Sequence, residues 1–413
     1  MRKTTLAFLL LLTACKKQES EGPKIHVIQP GPDAQARAQE AMLDVRPGEI
    51  IEFAAGEFHF NNTLSIVKKE NVTVRGRGKD ATVLVFKDAA RGAEGIRGTE
   101  LKHFMIRDLT VRDPKGDGIK IKDSEGVTFF NVHVEWTAGP DSTNGAYGLY
   151  PVACKNLVLD GCSARGASDA GIYVGQCSSV VVRNCEAREN VAGIEIENTV
   201  GADVYLNRAL HNTGGILIFD LPNLPVKNGE RVRVFRNEIR DNNTPNFAPA
   251  GNIVAQVPAG TGIMIMSMND VEVFDNDVID CAVMGTGVVN YQSLSLFDPG
   301  MTITDPEFGK ETYAVHVHDN RYSRSRRMPL DKPIISGMLK MMFADTVPDI
   351  LFDGFLHPGA ADDPSKRVCI RNNAGASFAN LNVPGGLTVS RDLSAHDCSH
   401  PPLGEISVSA PRP

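Results

Sequence analysis

Apolar and polar positions along the chain recur in short blocks at a fixed phase. Gly118-Ile119-Lys120-Ile121, Gly148-Leu149-Tyr150, Gly171-Ile172-Tyr173-Val174, Gly193-Ile194-Glu195-Ile196 and Gly215-Ile216-Leu217-Ile218 each open on glycine and then alternate, and the last four glycines stand 23, 22 and 22 residues apart. A second column, Asp108, Asn131, Gly161, Asn184, Asn207, Asn237 and Asn276, follows short strand-like runs and advances by 23, 30, 23, 23, 30 and 39 residues. Two columns locked in phase predict the stacked coils of one all-β solenoid, with insertions where the step lengthens. In the coil from Gly171 to Ala192, Ile172 and Val174 face one way and Tyr173 the other, and Val180 and Val182 repeat the alternation before Asn184 turns the chain. Strands this short do not stand alone. Stacked about 4.8 Å apart they pair with the next coil, and each covers the apolar floor of the last. Antiparallel hairpins are the alternative, but hairpins do not demand like side chains at the same phase of every unit. The amides are expected to bridge turns and to hydrogen-bond one rung away, so Asn131, Asn184, Asn207, Asn237 and Asn276 read as a structural ladder.

Ahead of the coils, Ala34, Ala38, Met42 and Val45 recur at helical spacing, and Pro47-Gly48 stops the pattern. A helix over 33–45 would cover the otherwise open end of the apolar core. Earlier still, Arg2 and Lys3 precede the apolar run from Leu6 to Leu12, too short to span a bilayer and patterned as an export signal. That run ends Leu12-Thr13-Ala14-Cys15, which resembles the lipobox of bacterial lipoproteins. The resemblance implies a signal peptide over 1–14 and an acylated Cys15 with a tether to about residue 32; the repeat pattern, which continues without a linker, predicts a single β-solenoid domain over 33–413. Residue 16 is Lys rather than the Asp that signals inner-membrane retention in such proteins, which implies the outer membrane, facing periplasm or cell exterior. After about residue 320 the coil pattern fades, and a C-terminal cap is expected there.

Charge changes the picture little: 43 basic and 50 acidic residues nearly balance, and no basic stripe suggests nucleic acid. The cysteines check the coil length, because Cys154 to Cys177 and Cys162 to Cys185 are each 23 residues apart, one coil. Stacked neighbours of this kind make either a disulfide or a buried thiol column. Cys369 and Cys398, in the irregular tail, are the better disulfide candidates, leaving Cys281 unpaired.

With the run Asn144 to Cys154 (Asn-Gly-Ala-Tyr-Gly-Leu-Tyr-Pro-Val-Ala-Cys) followed by Ala167 to Cys177 (Ala-Ser-Asp-Ala-Gly-Ile-Tyr-Val-Gly-Gln-Cys), the chain resembles the right-handed parallel β-helix superfamily of pectate lyases, polysaccharide epimerases and carbohydrate-binding or sugar-hydrolase repeat modules. The resemblance spans about residues 45 to 320 and implies the right hand of the coil, which periodicity alone does not give. It implies a site type and leaves the chemistry open. A polysaccharide or oligosaccharide is the partner it implies, and calcium held by clustered Asp is its candidate cofactor. Departures are plain: the Asp-Pro-His motif of alginate epimerases is absent, and Glu195 lies three rungs from Lys120, about 14 Å by strand spacing.

The working surface expected from the pattern is the outward side of the glycine-led strands, where Lys120, Tyr150, Tyr173, Glu195, Leu217 and Met264 occupy equivalent positions and Glu197 follows Glu195 on the same side. Trp136, Asn144, Tyr147, Tyr150, Tyr173, Glu195 and Glu197 form the candidate glycan face, since tyrosines stack on sugar rings and carboxylates bind hydroxyls. Asp117, Lys120, Asp169 and Glu195 are the candidate catalytic groups. His316-Val317-His318 points both imidazoles one way, as a transition-metal site requires, but no motif fixes a third ligand. Recognition of an extracytoplasmic polysaccharide is therefore the leading expectation. A lyase, epimerase or hydrolase competes with it, and an envelope scaffold or metal-handling protein is a third reading.

Overall fold

The computed structural model describes residues 22–89, 94–296, 302–325 and 334–413, so Cys15 and the signal segment lie outside the described residues. Strands stack in parallel register throughout, with one antiparallel bridge, Asn380 to Ser390, near the C-terminus. A regular coil carries three strands, as in 170–175, 178–183 and 186–188, each paired with its counterpart one coil on. One face is a sheet of eleven strands running from Leu64–Val67 to Phe378–Asn380, and the other two faces merge into a network of twenty. Like residues meet in register, for example Ile172 with Ile194 and Ile194 with Ile216. A continuous column of buried aliphatic side chains results, and each coil supplies the apolar surface that its neighbour lacks.

The helix forms over Ala34–Asp44 and turns Ala34, Ala38, Ala41 and Met42 inward over the first coils, where Phe53, Phe58, Phe60 and Phe86 are buried. It covers the strand end that would otherwise expose backbone and core. Past residue 320 three short strands, 350–352, 368–371 and 378–380, still add to the stack, with the helix Ile334–Phe343 and irregular segments between them. Cys369 and Cys398 are disulfide-bonded, whereas Cys154, Cys162, Cys177, Cys185 and Cys281 are free and buried. Beyond Cys398 the tail runs back along the outside of the solenoid. Leu403 N donates to Glu272, Ile406 N to Asp203 and Ser409 N to Asn156, and the Pro411 carbonyl accepts from Thr128.

The asparagine column needs a correction, because it merges two neighbouring positions. Asn207, Asn237 and Asn276 do form a buried ladder, each Nδ2 donating to the next Oδ1 at 3.0 and 2.9 Å, and it continues through Asn320 to Asn373. Asn131 and Asn184 stand one residue earlier in the turn, in left-handed backbone at φ 50° and 54°, the position that Leu206, Arg236 and Asp275 occupy in later coils. Their amides bond Asp108 and Asp160 near the surface. The inward place in the Asn184 turn belongs to Cys185, whose N–H donates to Asn207 Oδ1 at 2.9 Å. A second buried ladder, Asn190 to Asn212 to Asn242, lies at another corner and carries no mark in the column of strand ends.

Candidate functional site

The outer face of the eleven-strand sheet collects the chemistry. Strand pairing sets Lys120 beside Tyr150, Tyr173 beside Glu195, Glu195 beside Leu217 and Leu217 beside Met264. Two residues further along each strand a parallel column runs Val152, Gly175, Glu197, Phe219 and Met266. Gly175 leaves space there, since a Cβ at that position would collide with the hydroxyl end of the Tyr173 ring. The space lets the Tyr173 ring lean along its own strand and donate to Glu197 Oε1 at 2.7 Å.

Around these strands Tyr147, Tyr150 and Tyr173 form a three-ring cluster with centroids 4.5 to 4.9 Å apart. The Lys120 ammonium lies 4.4 Å above the Tyr150 ring and 3.8 Å from Asp117. Asp169, at the entrance to the next strand, accepts from the Tyr147 hydroxyl and from Asn252 Nδ2 at 3.4 Å. Asn252 belongs to the long insertion 244–260, which folds over the face and packs Val254 and Val257 against Tyr173, Leu217, Phe219 and Met266. The far half of the face is thereby apolar and covered, and the near half, with Lys120, Asp117, Tyr147 and Tyr150, is half-buried.

Burial without counter-charge dominates the electrostatics. It pushes Asp117 up to about 6 against the pull of Lys120. Burial, and then Glu197, lifts Asp169 to about 7 despite the hydrogen bonds from Tyr147 and Asn252. Glu197 likewise rises to about 7 through burial, opposed by the Tyr173 hydroxyl. Glu195 is buried with Oε2 unpartnered, and desolvation reinforced by Asp169 and Glu197 holds it far above the carboxylate range. Tyr150 is raised to about 12, and burial drives Tyr147 and Tyr173 higher still. A buried carboxyl that must stay neutral at ordinary pH is a proton donor, and an ionised neighbour in the same cluster is a proton acceptor.

The expected residues separate accordingly. Tyr147, Tyr150, Tyr173, Glu195, Glu197, Asp117, Lys120 and Asp169 come together in this one cluster. Trp136 and Asn144 do not join it: Trp136 is buried in the core with its indole N–H spent on the Pro114 carbonyl at 2.8 Å, and the Asn144 amide ties the Gly139 and Gly166 carbonyls at 2.8 and 2.6 Å. They brace the loop behind the face. Asn252 and Asp220, the latter raised to about 8 chiefly by burial, are additional groups that the sequence pattern did not reveal. Calcium fits poorly. Among the described residues, no three carboxylates of this face bring ligand oxygens within 4.8 Å of one another, whereas a hard cation takes six to eight converging oxygens.

Residues 94–243 match the family described as right handed beta helix region. Among solved structures the chain is similar to the A-module of mannuronan C-5 epimerase AlgE4 of Azotobacter vinelandii, at 16% identity over 84% of this chain and 92% of that one, with a TM-score of 0.52. It is also similar to a polygalacturonase from Erwinia carotovora ssp. carotovora, at 11% identity over 77% of this chain and 99% of that one, with a TM-score of 0.50. No curated protein matches the sequence. The chain thus has a right-handed parallel β-helix fold, and at these identities the fold alone is shared with the solved structures.

Proposed function

We propose that this β-helix is an enzyme acting on a polysaccharide, a hydrolase of glycosidic bonds in which Asp169 and Glu197 exchange the roles of proton donor and acceptor beside the tyrosine cluster. One observation carries the reading: Asp169, Glu195 and Glu197 are gathered and buried on one face against the electrostatic cost of doing so. A surface that only grips sugar has no need of carboxyls raised toward neutrality, and strongly shifted groups in a shared cluster are a mark of catalysis. The names of the epimerase and polygalacturonase that share the fold support a polysaccharide as substrate class. Simple glycan recognition, the first expectation from sequence, is the weaker reading for the same reason.

The charge balance favours a neutral or weakly charged glycan, since a polyuronate would bring more negative charge to a site rich in carboxyls. Tyr150 and Tyr147 would stack on sugar rings at the open side, and Lys120 would bind hydroxyls while holding Asp117. Access to Asp169 and Glu197 requires the 244–260 insertion to yield at Asn252. Proton abstraction next to a uronate carboxylate, with Lys120 as base, is the second reading, favoured only by the Lys120–Asp117 pair. We place the enzyme on the outer membrane through acylated Cys15, on the strength of the apolar run and the Leu12-Thr13-Ala14-Cys15 sequence. Incubation with a panel of bacterial, algal and plant polysaccharides tests the activity. New reducing ends that vanish in Asp169→Asn are expected, and an Asp169→Asn protein as active as the parent would remove Asp169 from the mechanism.

A further inference from the structure

On a different face of the solenoid, three side chains from two adjacent rungs converge. Strand 269–274 carries Glu272 and strand 313–318 carries His316 and His318, and the register sets Glu272 opposite His316. One ligand atom from each of the three lies within 4.8 Å of the others. The second polar atom of two of them is already occupied. His318 Nδ1 bonds Asp319 at 2.7 Å, which leaves Nε2 facing Glu272 Oε1 at 3.2 Å. Glu272 Oε2 accepts from Leu403 N at 3.0 Å, which leaves Oε1 facing His318. Ligand atoms about 2.1 Å from a tetrahedral ion stand about 3.4 Å apart, close to that separation.

His316 sets this apart from an ordinary ion pair. A protonated His318 bridging Asp319 and Glu272 would account for those three residues and leave His316 unexplained. Its side chain is buried, 7% exposed, yet neither ring nitrogen has a hydrogen-bond partner. Its ring lies 4.0 Å from that of His318. Of the arginines that flank the cluster in the sheet, Arg233, beside Glu272, is held by both carboxylate oxygens of Asp203 at 2.8 and 2.5 Å, and Arg371, beside His318, faces Asp397 at 3.9 Å. We propose that Glu272, His316 and His318 bind one divalent transition-metal ion of the zinc class, and that this ion fixes the C-terminal tail to the solenoid. Two imidazoles and one carboxylate suit such an ion, and Asp319 behind His318 is the carboxylate partner that orients a metal-bound histidine. The tail reaches the site twice: Leu403 caps Glu272, and His400 lies edge-on to His316 with centroids 6.0 Å apart. The Cys369–Cys398 bridge starts the tail one rung away, Cys369 being paired with His316 in the sheet.

The test uses tag-free full-length mature protein, stripped with chelator and titrated with zinc chloride by calorimetry and with cobalt chloride by visible absorption. One equivalent is expected to bind at micromolar concentration or tighter, to raise the melting temperature, and to slow proteolysis after Cys398. His316→Phe, which keeps a ring in the same space, should stay folded by circular dichroism and lose at least 100-fold in zinc affinity. Glu272→Gln serves as the second variant should His316→Phe fail to fold. Absence of one-to-one binding in the parent, or equal binding by parent and folded variant, would overturn the proposal.

Discussion

Removing one buried negative charge from the site should make the protein more stable, and Glu197→Gln isolates that effect. Glu197 rises from 4.5 to about 7, so at pH 8 the fold holds ionised a group that would rather be neutral. At about 1.4 kcal/mol per pKa unit the penalty is about 3 kcal/mol. Gln keeps an oxygen for the Tyr173 hydroxyl, whose 2.7 Å bond needs only an acceptor, so the packing survives while the charge goes. The sign follows from proton binding: between about pH 4 and pH 7 the native state holds more protons at Glu197 and Asp169 than the unfolded chain, so stability falls as pH rises through that window. Thermal unfolding of parent and Glu197→Gln at pH 4 and pH 8 reads this out. The two should melt together at pH 4, and the variant should melt higher at pH 8, by a few degrees for a domain of this size. A variant that melts lower than the parent at pH 8 would refute the reasoning, because it would mean that Glu197 is a stabilised ion with a counter-charge of its own.

Three further perturbations separate the parts of the account. Asn237→Ala removes two bonds donated to Val204 and Asn276 and two accepted from Asn207, and at about 1 kcal/mol each should cost about 4 kcal/mol in urea unfolding; Asn131→Ala, with its single surface bond to Asp108, should cost about 1 kcal/mol or less, and equal losses would contradict the two-column description. Gly175→Ala drives a methyl into the Tyr173 hydroxyl, so turnover should fall at least tenfold with circular dichroism unchanged, and unaltered turnover would mean that the Tyr173–Glu197 bond has no part in the chemistry. Cys15→Ala should abolish lipid labelling and release the protein in soluble form, and persistent labelling would rule out the lipobox.

The stacking was readable because a solenoid repeats its side-chain requirements at every turn. The glycine-led strands placed Lys120, Tyr150, Tyr173, Glu195, Leu217 and Met264 in one column, and the strand register has them there. A phase difference of one residue is invisible in the sequence where neighbouring turn positions both take asparagine, and so the column groups Asn184 with Asn207 although Cys185 holds the inward place. Burial was harder to read, because what covers the face comes from the insertion 244–260, which obeys no period. Nothing local to Asn252 says that it will reach Asp169, 83 residues earlier. Trp136 misled for a related reason: a lone indole in a long coil looks available for a sugar ring until its N–H is seen to be bonded to Pro114 in the core. Pairing of His316 and His318 with Glu272 likewise depends on a register across a lengthened coil, in which 46 residues separate Glu272 from His318 and the stretch 290–312 obeys no period.

The most direct measurement of the central claim is product analysis by mass spectrometry after digestion of a responsive glycan in water enriched in oxygen-18, with parent and Asp169→Asn protein side by side. Hydrolysis through Asp169 and Glu197 places one heavy oxygen at each new reducing end, and the variant yields none. Unsaturated, unlabelled ends, or products from Asp169→Asn equal to those of the parent, would contradict it.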